Sequence, residues 1–238
     1  MRQNARILAQ PARPVPSTPN DSSGFRSVCF ALSAAEPGQL PPERGAEVAF
    51  AGRSNAGKSS AINAICARRK LAFISRTPGR TQVINFYRAG DTAYLVDLPG
   101  YGYARVPAAV RARWERLLNA YLRTRHALRG VFVVMDARHP LTVLDQSLLE
   151  WLAPTRRPVV VLLAKADKLT RSAAERQLRE TAKALARLYP GATARLFSSI
   201  DGTGVAEARQ VLLQWLGLSQ HQRGERPSSG RRSKPKPA

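Results

Sequence analysis

The fold of this chain is decided by a nonapeptide, Gly52–Ser60, which reads GRSNAGKSS. It matches the pattern G-x-x-x-x-G-K-[ST] of a phosphate-binding loop, or P-loop. The apolar run VAFA precedes it and SSAINAICA, a run of helical period, follows it, so the order is strand, loop and helix. In such a loop backbone N–H groups surround a β-phosphate, Lys58 bridges the β- and γ-phosphates, and the Ser59 hydroxyl ligates Mg²⁺. The stretch therefore predicts a nucleoside-triphosphate site; a glycine-rich turn before an ordinary helix is the alternative.

On both sides of the loop, short apolar runs alternate with longer segments of helical period, the pattern of a sheet wrapped by helices. The predicted strands are 27–32, 47–51, 83–88, 93–97, 131–136, 159–164 and 194–198, and the predicted helices are 58–67, 108–127, 143–151, 173–188 and 204–216. The later strands are continuously apolar, as parallel strands covered on both faces are. We therefore expect one α/β domain over residues 25–218, with three layers and a mostly parallel sheet.

The two ends of the chain differ from this body in composition. Residues 1–24 are rich in proline and residues 219–238 have almost no apolar side chains, so both are predicted to be disordered. Of the net charge of +22, the C-terminal segment carries +5 and the N-terminal segment +2, which leaves +15 on residues 25–218. A body this basic attracts polyanions, RNA or DNA above all. A generally arginine-rich proteome is the other explanation of the charge.

The sequence gives no sign of export or of membrane insertion. It has no run of eighteen apolar residues and no apolar stretch of signal-peptide length near its start, so we expect a cytoplasmic protein, and a monomer. Cys29 and Cys66 are too few for a disulfide framework or a zinc site. We expect both to be small buried apolar residues.

A second motif follows the strand AYLVD, where Asp97, Leu98, Pro99 and Gly100 form D-x-x-G. Asp97 can hold a water bound to Mg²⁺, and the Gly100 N–H can meet a γ-phosphate and release it after hydrolysis. The segment between the two motifs, FISRTPGRTQVINF, has the length and composition of a mobile loop. Its threonines, Thr77 and Thr81, are both candidates to close onto Mg²⁺, and their spacing does not decide between them.

A third motif predicts which base is bound. After the strand VVVLL come Ala164, Lys165, Ala166 and Asp167. The Asp167 carboxylate can accept from guanine N1–H and the 2-amino group, whereas adenine offers neither donor, and the Lys165 stem can cover the base. The segment FSS, which is Phe197, Ser198 and Ser199, adds N–H and hydroxyl groups suited to the guanine 6-oxo group. Ala164 is apolar where a hydrogen-bonding side chain is expected.

In this order the motifs resemble those of the EngB/YihA group of Era-like GTPases, which are associated with ribosome assembly in bacteria. The resemblance is carried by residues 52–60, by TPGRTQ at 77–82, by DLPGYGYA at 97–104, by MDARHPL at 135–141 with Asp145 and Gln146, and by 197–199 with 202–204. It spans about residues 25–216, and TPGRTQ and DLPGYGY are more specific to the family than the P-loop is. The departure is Ala164, where the family usually has Thr or Asn.

The resemblance implies a Ras-like fold, GTP as substrate and GDP as product, and Mg²⁺ held by Ser59 and Thr81. It also implies binding to the large (50S) ribosomal subunit and its rRNA, and a link to cell division and septation. The catalytic candidates are Lys58, Thr81, Gly100 and Asn55. The residues expected to contact nucleotide are Gly52, Arg53, Ser54, Asn55, Ala56, Gly57, Lys58, Ser59, Gly79, Arg80, Thr81, Gln82, Val83, Asp97, Leu98, Pro99, Gly100, Ala164, Lys165, Ala166, Asp167, Phe197, Ser198 and Ser199.

The hydrolysis step departs from Ras-like enzymes. Those enzymes have a Gln directly after D-x-x-G to orient the attacking water, and here Tyr101 stands at that position, so we expect slow intrinsic turnover. Either the ribosome supplies a catalytic group, or Asn55 holds a monovalent cation such as K⁺ near the phosphates. A loop-stabilising hydrogen bond is the alternative role for Asn55. Gln82 is a weaker candidate for positioning the water.

Two further questions stay open on sequence alone. One concerns a basic run on and after the helix that follows D-x-x-G. The run either couples the GTP state to rRNA affinity or is a solvated face, and it comprises Arg111, Arg113, Arg116, Arg123, Arg125 and Arg129. The other is the class of protein. An RNA-binding protein with a decayed nucleotide site would explain Ala164, but Lys58 and Asp167 are intact. A P-loop kinase or ATPase conflicts with Asp167.

Overall fold

The computed structural model describes residues 27–72, 83–102 and 108–218, without the side chains of 108–111 and 114. The tails at 1–24 and 219–238 therefore lie outside the described residues, as do Thr77, Gly79, Arg80, Thr81, Gln82 and the side chain of Arg111.

Within the described residues the chain forms seven strands and five α-helices. The strands are β1 (Cys29–Ala34), β2 (Glu47–Gly52), β3 (Ile84–Ala89), β4 (Ala93–Asp97), β5 (Leu128–Asp136), β6 (Val159–Ala164) and β7 (Thr193–Leu196). The helices are α1 (Lys58–Ile65), α2 (Ala108–Thr124), α3 (Val143–Leu152), α4 (Arg171–Leu188) and α5 (Val205–Leu216).

The strands form one sheet in the order β1-β3-β4-β2-β5-β6-β7. Strands β4, β2, β5, β6 and β7 run parallel, and β3 pairs antiparallel with both β1 and β4. One apolar cluster packs α2, α3 and the end of α4 against one face of the sheet, and a second packs α1 and α5 against the other. The predicted three-layer α/β fold with a mostly parallel sheet is confirmed.

Strand bounds follow the sequence where the apolar run is continuous. Strands β4 and β6 have the predicted bounds, and every residue of β2 and β6 is buried, as the central strands of a covered sheet must be. Strand β5 begins three residues before the prediction, because Arg129, which is exposed, and Gly130, which is buried but has no side chain, interrupt its apolar pattern. A Cβ at Gly130 would lie 2.6 Å from the ring of Trp215, so glycine there lets α5 approach the sheet.

The edge strand β1 departs from the prediction. It begins two residues later than expected and its register shifts between Phe30 and Leu32, as at a β-bulge. Cys29 is exposed, so its predicted burial is wrong, because an edge strand of this sheet leaves residues uncovered. Cys66 is buried as predicted, and burial raises the pKa of its thiol to about 12.

The parallel strands bring the predicted motifs to one edge of the sheet. Strand β2 leads into the P-loop, and Phe50 of β2 pairs with Asp97 at the end of β4. On the other side Asp136, at the end of β5, pairs with Ala164 at the end of β6. Ligands bind at the carboxyl ends of parallel strands in open α/β sheets, so this edge is the candidate site. The described helices include none with the length and apolarity needed to cross a membrane.

Candidate nucleotide-binding site

The P-loop has a backbone that turns sharply from β2 into α1. Asn55 and Gly57 both have positive φ, 62° and 109°, and Gly57 is the N-cap of α1. A Cβ at Gly52 would lie 2.7 Å from the Val134 carbonyl oxygen, so glycine is needed where β5 passes close to the loop. Helix α1 then begins at Lys58, and the N–H groups of its first turn have no partners within the helix. These N–H groups suit phosphate oxygens.

The P-loop and D-x-x-G are in direct contact. The Lys58 ammonium donates a hydrogen bond to the Asp97 carboxylate, and both side chains are almost fully buried. Leu98 N–H donates to the Phe50 carbonyl at 3.0 Å, which holds the motif beside β2. The predicted phosphate-binding lysine and metal-side aspartate therefore meet at one point. Val83 lies near them, because it precedes β3, in which Asn85 pairs with Asp97.

The two segments predicted to recognise the base are joined by side-chain and backbone bonds. The Ser198 hydroxyl is buried and donates to Asp167 Oδ1 at 2.8 Å. It also accepts from the N–H groups of Ile200 and Asp201, at 3.2 and 3.3 Å. Ala166 N–H donates to the Phe197 carbonyl at 3.1 Å. Because its proton points to Asp167, the Ser198 hydroxyl orients that carboxylate, a role different from the predicted contact with the guanine oxygen.

Lys165 links three loops. Its backbone is left-handed, with φ of 63°, and its ammonium donates to the Asn55 carbonyl at 2.7 Å and to Asp136 Oδ2 at 2.9 Å. The Lys165 stem therefore runs between the third motif and the P-loop. Asp136 was part of the family-specific run MDARHPL, but the sequence assigned it no role. The available signal was its place at a strand end, the same place that Asp97 occupies on β4.

Asp136 holds a second cation besides Lys165. Arg138 donates from Nε to Oδ1 at 2.9 Å and from Nη2 to Oδ2 at 2.7 Å, and its backbone N–H donates to Oδ1 at 3.1 Å. The Arg138 hydrogen bonds, with those of Lys165, hold the pKa of the Asp136 carboxyl well below its usual range, although burial opposes the shift. Asp136 is therefore an anion at any pH near neutrality.

Tyr101, which stands where a Ras-like enzyme has its water-orienting Gln, is built into the fold. Its backbone makes two hydrogen bonds to the first residues of the P-loop. The Tyr101 N–H donates to the Gly52 carbonyl at 3.4 Å, and the Tyr101 carbonyl accepts from the Ser54 N–H at 3.1 Å. Its hydroxyl donates to Asp145 Oδ1 at 2.7 Å. Burial, with the Asp145 charge, raises the pKa of Tyr101 far above its usual range, so the hydroxyl stays protonated. A side chain held in this way is not available to orient a water.

Asp145 also caps the N-terminus of α3. Its Oδ2 accepts from the Thr142 N–H at 3.0 Å, while its own N–H donates to the Thr142 hydroxyl oxygen at 3.4 Å, and these two bonds form a capping box. The Thr142 hydroxyl in turn donates to Oδ2 at 2.7 Å. The other carboxylate oxygen of Asp145, Oδ1, accepts the hydrogen bond from the Tyr101 hydroxyl and lies 4.0 Å from Arg53 Nε. Asp145 is only 1% exposed, so one buried carboxylate connects α3, the P-loop and the residue after D-x-x-G.

Ala164 faces the P-loop. Its Cβ lies 3.4 Å from the position that a Cβ on Gly57 would take, and it is 3% exposed. Its carbonyl accepts from Ala137 N–H at 2.7 Å. A longer polar side chain at 164 would therefore lie against the P-loop backbone at Gly57.

The predicted basic surface on α2 loses one member. Arg125 is 5% exposed and its guanidinium binds both oxygens of Glu47, with an Nη2–Oε1 distance of 2.6 Å. Its assignment to a surface run is therefore wrong, because it neutralises a fully buried carboxylate at the start of β2. Arg113 pairs with Glu36 at 2.6 Å, whereas Arg116, Arg123 and Arg129 are exposed.

The strand order, the P-loop and the D-x-x-G contact define a P-loop GTPase. Residues 47–165 match the family described as 50S ribosome-binding GTPase. The chain is 52% identical over 194 residues to the probable GTP-binding protein EngB of Aromatoleum aromaticum, covering 82% of this chain and 90% of that protein. It is 50% identical over 191 residues to the protein of the same name from Coxiella burnetii, covering 80% and 93%.

Solved structures agree in fold. A probable GTP-binding protein EngB aligns with a TM-score of 0.54 at 18% identity, covering 72% of this chain and 99% of that one. Aquifex aeolicus Era bound to GDP·AlF₄⁻ aligns with a TM-score of 0.55 at 19% identity, covering 72% and 57%. The chain belongs to the EngB family of GTP-binding proteins, and it is a GTPase.

Proposed function

We propose that this GTPase acts in the cytoplasm as a switch in the assembly of the large ribosomal subunit, through a GTPase domain of residues 25–218. The observation that carries the guanine-nucleotide part of the proposal is the meeting of two pairs at one sheet edge: Lys58 with Asp97, and Asp167 with Ser198. The first pair suits a phosphate–metal centre and the second suits a guanine base. We also propose the link to cell division and septation that the family resemblance implies.

We propose that the P-loop residues Gly52–Ser59 hold the phosphates and that Mg²⁺ binds beside them. The Ser59 hydroxyl and the Asp97 carboxylate are oxygen donors, which Mg²⁺ prefers, and Asp97 lies at the Lys58 ammonium. Thr81 would complete the metal site from the segment outside the described residues. Gly100 would donate its N–H to the γ-phosphate, and Mg²⁺ would neutralise charge on the phosphates during transfer.

For the base, we propose that Asp167 accepts from guanine N1–H and the 2-amino group. Its buried hydrogen bond from Ser198 supports this role, since a carboxylate held in one orientation can bind both donors at once. Lys165 would cover one face of the base. The N–H and hydroxyl of exposed Ser199 would serve the 6-oxo group, since the N–H groups of Ser198, Ile200 and Asp201 already donate within the protein.

Binding of GTP, ATP and XTP by the wild type and by Asp167→Asn tests the base assignment. XTP carries an oxygen where GTP carries the 2-amino group, and the NH2 group of an Asn side chain can donate a hydrogen bond to that oxygen. We expect the wild type to prefer GTP, and Asp167→Asn to lose GTP affinity and gain XTP affinity. Equal affinity of the wild type for ATP and GTP would contradict guanine recognition.

Hydrolysis should be slow without help, because Tyr101 is bound to Asp145 and does not replace the Gln of Ras-like enzymes. Two sources of help are proposed: a group supplied by the 50S subunit, or K⁺ held near the phosphates by Asn55. Turnover measured in K⁺ and in Na⁺, each with and without 50S subunits, separates them. If neither addition accelerates turnover, both proposals are wrong.

For the ribosome, support comes from the family description and from charge. The chain matches a 50S ribosome-binding GTPase family over residues 47–165, and residues 25–218 carry +15. Arg116, Arg123 and Arg129 remain exposed on α2 and the start of β5. We propose that these three arginines contact rRNA phosphates.

Their contribution is measurable by binding to 50S subunits over a range of salt. Each lost phosphate contact reduces the slope of log K against log salt by about 0.7 to 0.9. Replacing Arg123 and Arg129 by Ala should therefore weaken binding and flatten the slope. Replacing Arg176 and Arg179, which are exposed on α4, removes the same charge elsewhere. Equal loss in both double variants would show that only net charge matters.

A further inference from the structure

We infer that Asp136 is a positioning residue of the nucleotide site and acts on the nucleotide through Lys165. The inference rests on the proposed role of Lys165 in covering the base. It assigns a function to the MDARHPL run, which neither the P-loop nor the base-reading motifs explain.

Asp136 is placed for this role by the sheet. It ends β5, pairs with Ala164 in the parallel register, and so lies beside the start of the base-reading loop. It is 7% exposed and both of its oxygens are used. Oδ1 accepts from two N–H groups of Arg138, while Oδ2 accepts from Arg138 Nη2 and from Lys165 Nζ. A carboxylate with this many donors has one orientation.

A fixed Asp136 restricts the conformation of Lys165. A lysine ammonium on a four-carbon stem is mobile in solution and loses rotamer freedom when it is ordered. Here its two acceptors, Asp136 Oδ2 and the Asn55 carbonyl, are both groups of the protein itself and fix the end of the stem. The entropy of ordering Lys165 is therefore lost during folding, and binding does not have to supply it. The Asn55 contact also joins the P-loop to this network.

Arg138 keeps Asp136 in place. Its guanidinium makes two parallel hydrogen bonds to the Asp136 carboxylate, a geometry that fixes the plane of each group relative to the other. Two cations share one anion, so the network has a surplus positive charge. The charge of Asp167 also acts on Arg138, which places Arg138 within electrostatic reach of the base-reading residue. We expect Arg138 to contribute less than Asp136, because Lys165 retains its direct contact with Asp136 when Arg138 is replaced.

The network predicts a particular pattern of effects. Asp136 contacts Lys165, whereas the carboxylate proposed to read the base is Asp167. Loss of Asp136 should therefore weaken the binding of GDP and of GTP equally and leave the base preference unchanged. A charge-assisted hydrogen bond is among the stronger ones, and its loss should raise the dissociation constants on the order of tenfold.

A double-mutant cycle tests the route of action. Dissociation constants of fluorescent GDP and of a non-hydrolysable GTP analogue are measured for Asp136→Asn, Lys165→Met and the double variant. If Asp136 acts through Lys165, each single variant loses on the order of tenfold and the double variant loses no more than Lys165→Met alone. Multiplicative losses in the double variant would overturn the inference, as would wild-type affinity in Asp136→Asn.

Controls separate this result from unfolding and from failure of the base assignment. Thermal unfolding of each variant without nucleotide identifies general damage, and Glu175→Gln removes an exposed ion pair with Arg171 on α4 that should leave affinity unchanged. If Asp136→Asn does not fold, Arg138→Gln replaces it in the cycle, with a several-fold loss expected that disappears beside Lys165→Met. Asp167→Asn alone tests base reading, because it should change the GTP-to-XTP preference while Asp136→Asn should not.

Discussion

Replacing Tyr101 by Phe removes one hydroxyl at the point where D-x-x-G joins the fold. In the wild type this hydroxyl donates to Asp145 Oδ1 at 2.7 Å, with Tyr101 8% and Asp145 1% exposed. A hydrogen bond to a charged group contributes about 1.5–3 kcal/mol to the free energy of unfolding. In the variant, Oδ1 keeps Arg53 Nε at 4.0 Å as its one remaining partner among the described residues, while the Thr142 N–H and hydroxyl still donate to Oδ2. We therefore expect a loss of about 2 kcal/mol.

The effect on nucleotide affinity depends on whether the Tyr101–Asp145 hydrogen bond stabilises the GTP-bound or the GDP-bound protein more. Tyr101 follows Gly100, the residue proposed to meet the γ-phosphate, so the bond should matter more with GTP bound than with GDP. About 1.4 kcal/mol corresponds to a tenfold change in affinity. If most of the lost energy belongs to the GTP state, affinity for a non-hydrolysable GTP analogue falls about tenfold relative to GDP. Titration calorimetry with both nucleotides measures this ratio, and denaturant unfolding measures the stability.

The chain provides a matched control. Tyr121 is also a buried phenol that donates to a buried carboxylate, Glu47 Oε2, at 3.0 Å. Glu47 begins β2 at the end opposite the P-loop, about 17 Å away along the strand. Tyr121→Phe should lower stability by a similar amount and leave the nucleotide ratio unchanged. If both variants leave the ratio unchanged, the Tyr101 hydroxyl stabilises the fold only and our reasoning on the GTP state is refuted.

Three further outcomes follow from the described contacts. Ala164→Asn or Ala164→Thr should tighten GTP and GDP binding by about 1 kcal/mol, because the new side chain faces Gly57 and can bond to the P-loop; a large change in preference over ATP would contradict this. Glu47→Gln should lower the free energy of unfolding by about 3–5 kcal/mol, since it leaves the buried Arg125 guanidinium without its anion; a change below 1 kcal/mol in denaturant unfolding would contradict it. The pKa of Asp136 is lower in the folded protein than in the unfolded chain, where it is near 3.9. This difference stabilises the fold above the unfolded pKa, and the stabilisation is lost as the pH falls through the folded pKa. Asp136→Asn should therefore lower the free energy of unfolding at neutral pH and flatten its decline in acid.

The sequence predicted the sheet best where side chains alone decide burial. Strands β4 and β6 have the predicted bounds because their apolar runs stop at a turn. It did less well where a distant element decides. Strand β5 continues back through Gly130 because Trp215, far along the chain, covers that glycine. The bulge in β1 and the exposure of Cys29 depend on pairing with β3, which no local pattern encodes.

The candidate site divides in the same way. Residues whose chemistry is fixed by a local motif, such as Lys58, Asp97 and Asp167, were predicted and lie at one edge of the sheet. Their partners were not predicted in the roles they have. Ser198 was assigned to the base, but it donates to Asp167, and Asp136 was assigned nothing, although it holds Lys165. A motif gives residue types and spacing, whereas these contacts join residues about thirty positions apart, 31 and 29 in the two cases.

The segment from Asp136, at the end of β5, to Asp145, in the first turn of α3, contains two aspartates that each hold a residue of the candidate site. Asp136 fixes Lys165 of the base-reading loop, and Asp145 fixes Tyr101 after D-x-x-G. Both contacts also reach the P-loop, the first through the Asn55 carbonyl and the second through the backbone bonds of Tyr101. They share no side-chain partner, so each can change without the other. If Lys165 covers the base and Gly100 meets the γ-phosphate as we propose, the segment supports base recognition and γ-phosphate sensing as two separable properties. If hydrolysis is activated by the 50S subunit or by K⁺ as we propose, this GTPase would keep its nucleotide firmly while the activator sets the rate of hydrolysis.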